Sequence, residues 1–226
     1  MGTSEGRTGA LARWLAAGVC AAGLVAWPDP ISPGAAVGRY ARVQEGPGEV
    51  VPRSELEVRL AAEAMRRMPD LGEEGAGCLA AVVVEEAEGA DLDPVLVFAI
   101  IEVESAWEQG AVSQRGARGL MQLRPGTLES VAREAGLDPG DPHDPILNIR
   151  TGVRYFHRMV RAFGDPDLAL VAYNAGPTRL ASYLRAVGEV PDALWTYARR
   201  VRREERRLRR SLGATGEEVL AANVQR

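Results

Sequence analysis

The stretch Asp93-Pro94-Val95-Leu96-Val97-Phe98-Ala99-Ile100-Ile101-Glu102-Val103-Glu104-Ser105 decides how this 226-residue chain folds. Val95 to Ile101 is apolar on every side, so as a helix it belongs at the centre of a domain. Its β-branched residues would also suit a buried strand. Two features favour the helix. Asp93-Pro94 supplies an N-cap followed by a proline in the first turn, and the segment as far as Trp107 exceeds the usual length of a strand. The sequence therefore predicts a central, buried helix from Val95 to about Trp107.

Working outward, the same punctuation recurs. Ser54-Glu55-Leu56-Glu57 is a capping box, and the helix it opens places Leu56, Leu60, Ala64 and Met68 at four-residue spacing before Pro69 stops it. A second helix is expected from about Gly77 to Ala87. Downstream, helices are predicted over Thr127–Ala135, Asp144–Phe163, Asp167 to about Asn174, Thr178–Val187 and Asp192 to about Leu212, each bounded by glycine or proline. Period-two alternation is nearly absent, so the domain is all-α. Its expected extent is residues 53–212, with 213–226 as a tail.

The chain carries 27 basic and 31 acidic side chains, a net charge of −4, which gives no overall pull toward nucleic acid. Cys20 and Cys78 are the only cysteines, and His143 and His157 the only histidines. That excludes a disulfide framework and a Cys-rich metal site, and argues against a multi-histidine zinc centre. Arg7 and Arg13 precede an apolar run from Trp14 to Trp27, the length of a signal-peptide core. The expectation for residues 1–27 is an export signal or a retained membrane anchor, which places the chain in the periplasm or cell envelope. Residues 28–52, rich in proline and glycine, have the composition of a linker. If the leader is removed, Cys78 is expected to be a small buried apolar residue. The last helix bears Arg199, Arg200, Arg202, Arg203, Arg206, Arg207, Arg209 and Arg210. It is read first as a solvated face with a few ion pairs, and second as a patch for anionic polymers or headgroups.

Three short motifs carry chemistry. Glu104-Ser105 closes the most apolar helix, where a carboxyl group losing hydration is held nearer its neutral form. Gly119-Leu120-Met121-Gln122-Leu123 combines a glycine for close backbone approach with an amide that donates and accepts. Tyr173-Asn174-Ala175-Gly176 leaves a ring and an amide at a helix end, the pairing that sugar recognition uses. Taken singly, each also suits helix packing and capping.

Their order and spacing, with Ser113, Pro125 and Thr127 between them, resemble the catalytic domain of soluble lytic transglycosylases, over roughly residues 77–203. The resemblance implies a lysozyme-like helical fold whose cleft takes peptidoglycan glycan strands, with no cofactor. It further implies that Glu104 is the single catalytic acid/base and that Ser105, Gln122, Tyr173 and Asn174 line the cleft, with Met121 in its wall. Two departures stand out. Glu108-Gln109 occupies the place where the family often has Asn-Pro. Pro191 and Tyr197 keep only part of a terminal Pro-x-x-Glu-Thr-x-x-Tyr-Val pattern, with the spacing altered by one. Tyr197 stays a cleft candidate.

Carboxylate placement bears on the reaction. A two-carboxylate hydrolase needs a partner for Glu104. Glu102 lies about 200° round the helix and faces away. Glu108 would share the face of Glu104 if the helix continued that far. The reading is therefore a transglycosylase that closes a 1,6-anhydro ring, with a two-carboxylate muramidase or a non-catalytic wall-binding module as alternatives.

Overall fold

The computed structural model describes residues 54–213, and among them the chain is helical, without a strand. The expectations for the leader, the linker and most of the tail lie outside the described residues. Eight α-helices follow in order: α1 (Glu55–Arg67), α2 (Gly72–Gly89), α3 (Pro94–Ser105), α4 (Pro125–Glu134), α5 (Pro145–Phe163), α6 (Pro166–Ala175), α7 (Pro177–Val187) and α8 (Trp195–Gly213). Short 3-10 turns at Pro69–Leu71 and Asp192–Leu194 lead into α2 and α8.

The predicted N-caps Ser54 and Asp93 are in place, and Asp144 is a third. The Ser54 hydroxyl accepts from the Glu57 amide, Asp93 from Val95, and Asp144 from Leu147. Asp165 caps α6 through the amides of Asp167 and Leu168. Four helices from α3 to α6 carry their proline in the first turn, where its missing N–H is not needed.

α3 is the axis of the fold. Every residue from Val95 to Ile101 is buried, and the helix packs between α2 and α8. α5 lies across α2, α4 and α6. It is joined to α2 by the Glu86–Arg154 pair at 3.0 Å, with both side chains nearly enclosed. Along one edge Arg67 of α1 bridges Glu63 of its own helix, Glu102 of α3 and Glu204 of α8.

Two expectations need correction. Cys78 is exposed: it sits on the outward stripe of α2 with Glu74 and Glu88, while Ala76, Leu79, Val83 and Ala87 take the core. α3 stops at Ser105, two residues earlier than predicted, because Ala106 and Trp107 both adopt left-handed backbone, with φ of 49° and 68°. The Ser105 hydroxyl bonds the Ile101 carbonyl and accepts from the Trp107 amide. The Trp107 ring then folds back onto Phe98, with centroids 4.9 Å apart. Burial of a large ring offsets the roughly 1–2 kcal/mol that each left-handed residue costs.

The arginines of α8 divide by face. Arg202 and Arg209 reach Asp167 and Asp93 on neighbouring elements as well as Glu205 of their own helix. Arg199 pairs with Asp192, and Arg207 with Glu204.

Candidate active site

Glu104 projects from the last turn of α3, and α8 brings Tyr197 to it. The Tyr197 hydroxyl donates to Glu104 Oε1 at 2.7 Å, across 93 positions of chain. Burial is the main influence on this carboxyl. It raises the pKa from 4.5 to about 7, against the opposing effects of the Tyr197 hydrogen bond and the positive charge of Arg200. Burial and the adjacent carboxylate push the Tyr197 phenol well above its ordinary value, so it remains a donor. A carboxyl poised near neutrality can both give and take a proton.

Neither neighbouring carboxylate completes a pair. Glu102 points the other way, into its ion pair with Arg67. Glu108 lies beyond the left-handed turn and is exposed, so the helical register that would have put it beside Glu104 does not exist. Among the described residues no group of three His, Cys, Asp or Glu side chains is placed to hold a metal ion.

The Gly119–Gln122 segment forms a tight turn closed by two bonds between the backbones of Arg118 and Leu123, at 2.9 and 3.0 Å. Gly119 has φ of 75°, and a Cβ there would stand 2.4 Å from Asn148 Nδ2 and 2.5 Å from the Pro142 carbonyl oxygen. Gln122 also takes a positive φ, 48°. Its side-chain NH2 donates to the carbonyls of Ala111 and Gly119 at 3.1 and 2.9 Å, so the amide oxygen is its remaining polar atom.

The buried neighbours of this turn differ from expectation. Met121 is fully buried, and its sulfur lies against Gly152 so closely that a Cβ on that glycine would be 2.3 Å away. Its side chain therefore forms core rather than wall, and what it presents is a carbonyl. The Tyr173 hydroxyl donates to that carbonyl at 2.7 Å. The Tyr173 ring is packed by Tyr155 and Phe156, with centroids 5.4 and 5.9 Å away, so it is not a free stacking platform. Ser105 is buried and engaged in the helix-ending turn. Asn174, one residue on from Tyr173, is exposed.

Asn148 escaped the sequence reading. It is completely buried on α5; its side-chain oxygen accepts from the Met121 amide at 2.7 Å, and its NH2 donates to the carbonyls of Arg118 and Pro142. One amide thus holds the whole turn. The available signal was an asparagine on the apolar stripe of an amphipathic helix, where a polar group must find partners.

A family model described as the transglycosylase SLT domain matches residues 82–196, just over half of the chain. The chain belongs to the transglycosylase SLT domain family. A soluble lytic murein transglycosylase from Salmonella typhimurium is 36% identical over 101 residues, covering 42% of this chain but 16% of the relative. The lytic transglycosylase Slt of Pseudomonas aeruginosa, solved as an inactive mutant, superposes with a TM-score of 0.55 at 28% identity, covering 73% of this chain and 31% of that one. The 70 kDa soluble lytic transglycosylase of Escherichia coli gives a TM-score of 0.56 at 25% identity, covering 71% of this chain and 31% of that one. The SLT domain described here thus spans a small part of the length of these relatives. It shares their lysozyme-like helical fold.

Proposed function

We propose that this SLT domain is a peptidoglycan lytic transglycosylase, with Glu104 as its only acid/base. It cleaves the β-1,4 bond between N-acetylmuramic acid and N-acetylglucosamine. The observation that carries the reading is the Glu104 carboxyl itself: half-buried, close to neutrality, held by Tyr197 and without a second carboxylate on its helix face. Neutral Glu104 protonates the leaving glycosidic oxygen as the bond to C1 breaks. The resulting carboxylate accepts the proton of the muramyl C6 hydroxyl, whose oxygen then closes on C1. The products are a free 4-hydroxyl and a 1,6-anhydro-muramyl end, no water is consumed, and Glu104 regains its proton. The substrate acetamide stabilises the positive charge at C1 in place of a second carboxylate. Gln122 and Asn174 supply polar groups to the sugar, while Ser105, Met121 and Tyr173 hold the walls in place from behind.

The exposed position of Glu108 speaks against the hydrolase. Mass spectrometry of muropeptides released from isolated sacculi tests the choice, because the anhydro product is lighter by one water. Glu108→Gln is expected to retain anhydro product formation. A predominance of reducing-end products, lost in Glu108→Gln, would overturn the reading. The sequence from Arg7 to Trp27 supports export to the periplasm or cell envelope, by a cleaved leader or a retained anchor. No helix among the described residues is long and apolar enough to cross a membrane. Cell fractionation with N-terminal sequencing separates the two.

A further inference from the structure

We propose that Arg115, Arg118 and Arg124 form a carboxylate-binding subsite for the peptide stem of the glycan strand, an inference that rests on the transglycosylase reading and adds a specificity to it. The three arginines line a surface hollow of about 540 Å³, with Gly116, Gly126 and Thr127 among the uncharged remainder and no acidic residue in its lining. Other surface arginines do meet carboxylates, as in Arg133–Glu129, Arg199–Asp192 and Arg207–Glu204. At the hollow, the side-chain bond that is present runs from Arg124 to the backbone carbonyl of Arg115, at 3.4 Å, and ties two of the arms together. Three like charges facing one space repel, and the repulsion is relieved when an anion enters. The first turn of α4 borders the same space and adds to the positive field without creating it.

Position identifies the anion. Arg118 is bridged to Val112 on one side and Leu123 on the other, so it sits in the ladder that closes the Gly119–Gln122 turn. Arg124 follows Leu123 directly, and Arg115 lies at the tip of the adjoining Ser113–Ala117 turn. The arginines of the hollow therefore adjoin, along the chain, the turn that carries Gln122. A strand bound there carries its stem peptides on alternate sugars, and those stems bear free carboxylates. A guanidinium matches a carboxylate with a planar two-point fork.

The test compares kcat/KM on glycan strands that keep their stems with kcat/KM on strands stripped of stems by an amidase. Wild-type protein is expected to favour the stem-bearing strands. In Arg115→Ala/Arg124→Ala that preference is expected to fall by about five- to tenfold, through KM rather than kcat, from the loss of two exposed charge contacts. Arg115→Lys/Arg124→Lys keeps the charges without the planar fork and is expected to retain part of the preference, between wild type and the alanine variant. Both positions are exposed, so circular dichroism of the variants should match wild type. Equal efficiency on the two strands, or a preference unmoved in the alanine variant, overturns the subsite while leaving the enzyme intact. Absence of release from either strand by wild type overturns the transglycosylase reading and the subsite with it. Competition by poly(glycerol phosphate), with no stem preference, would assign the hollow to a phosphate polymer and overturn the proposal.

Discussion

Replacing Glu104 by Gln removes the acid and nearly preserves its shape, and the consequence for stability depends on pH in a way that can be worked out. The native carboxyl titrates at about 7, against 4.5 for an unperturbed glutamate. Below pH 4.5 both folded and unfolded chains hold this proton and the group contributes no penalty. Between pH 4.5 and 7 the unfolded chain releases the proton while the native one keeps it, so stability falls as pH rises. Above pH 7 both are ionised, and the native state carries a penalty of about 3 kcal/mol for the charge in its cleft. Glutamine is blind to all of this. Urea unfolding of wild type and Glu104→Gln should therefore converge toward a fixed difference at pH 4. At pH 8 the variant should have gained about 2–3 kcal/mol relative to wild type, the lower figure allowing for the part-exposed side chain. In the same variant muropeptide release should drop by about 10²-fold or more, the usual contribution of a general acid. A difference between the two proteins that stays flat from pH 4 to 8 would refute the raised acid, whatever happened to turnover.

Two further outcomes follow from the same geometry. In Tyr197→Phe the hydrogen bond that favours the ionised carboxyl is lost, so the pKa of Glu104 rises further, and the alkaline limb of kcat/KM should move to higher pH. A limb displaced to lower pH counts against the assigned role of the hydroxyl. Asn148→Ala leaves the Met121 amide and the Pro142 carbonyl without partners and takes one of two donors from the Arg118 carbonyl, which keeps the Leu123 amide, at an expected cost of about 2–4 kcal/mol. Thermal or urea unfolding reads it directly, and a loss below about 1 kcal/mol would show that the turn holds itself.

What the sequence made legible were the features that are local. Asp93, Asp144 and the Ser54–Glu57 box announce helix starts because a cap needs only its own next few amides. The all-apolar Val95–Ile101 run declares its burial without help from anywhere else. The end of α3 was illegible for the converse reason. No glycine marks Ala106 or Trp107, and their left-handed backbone is stabilised by a ring packing onto Phe98, a contact that spacing does not reveal. The same holds for Met121 and Tyr173. Both lie in motifs that point to a cleft, yet the close approach at Gly152 draws one into the core, and a carbonyl captures the hydroxyl of the other. Asn148 shows a third case: its signal was present, a polar residue on an apolar stripe, but nothing in its own segment told which backbone it would hold.

The bond between Glu104 and Tyr197 has a consequence for where this molecule can be cut. The two partners are 93 residues apart, and the family match ends at residue 196. A fragment trimmed to that boundary would keep the glutamate, the glycine turn and the Tyr173-Asn174 pair. It would lack the hydroxyl one position further on, along with Arg200 and the buried face of α8 that closes over α3. The proton affinity of the acid belongs to the junction of two helices, and the recognisable unit is shorter than the working one.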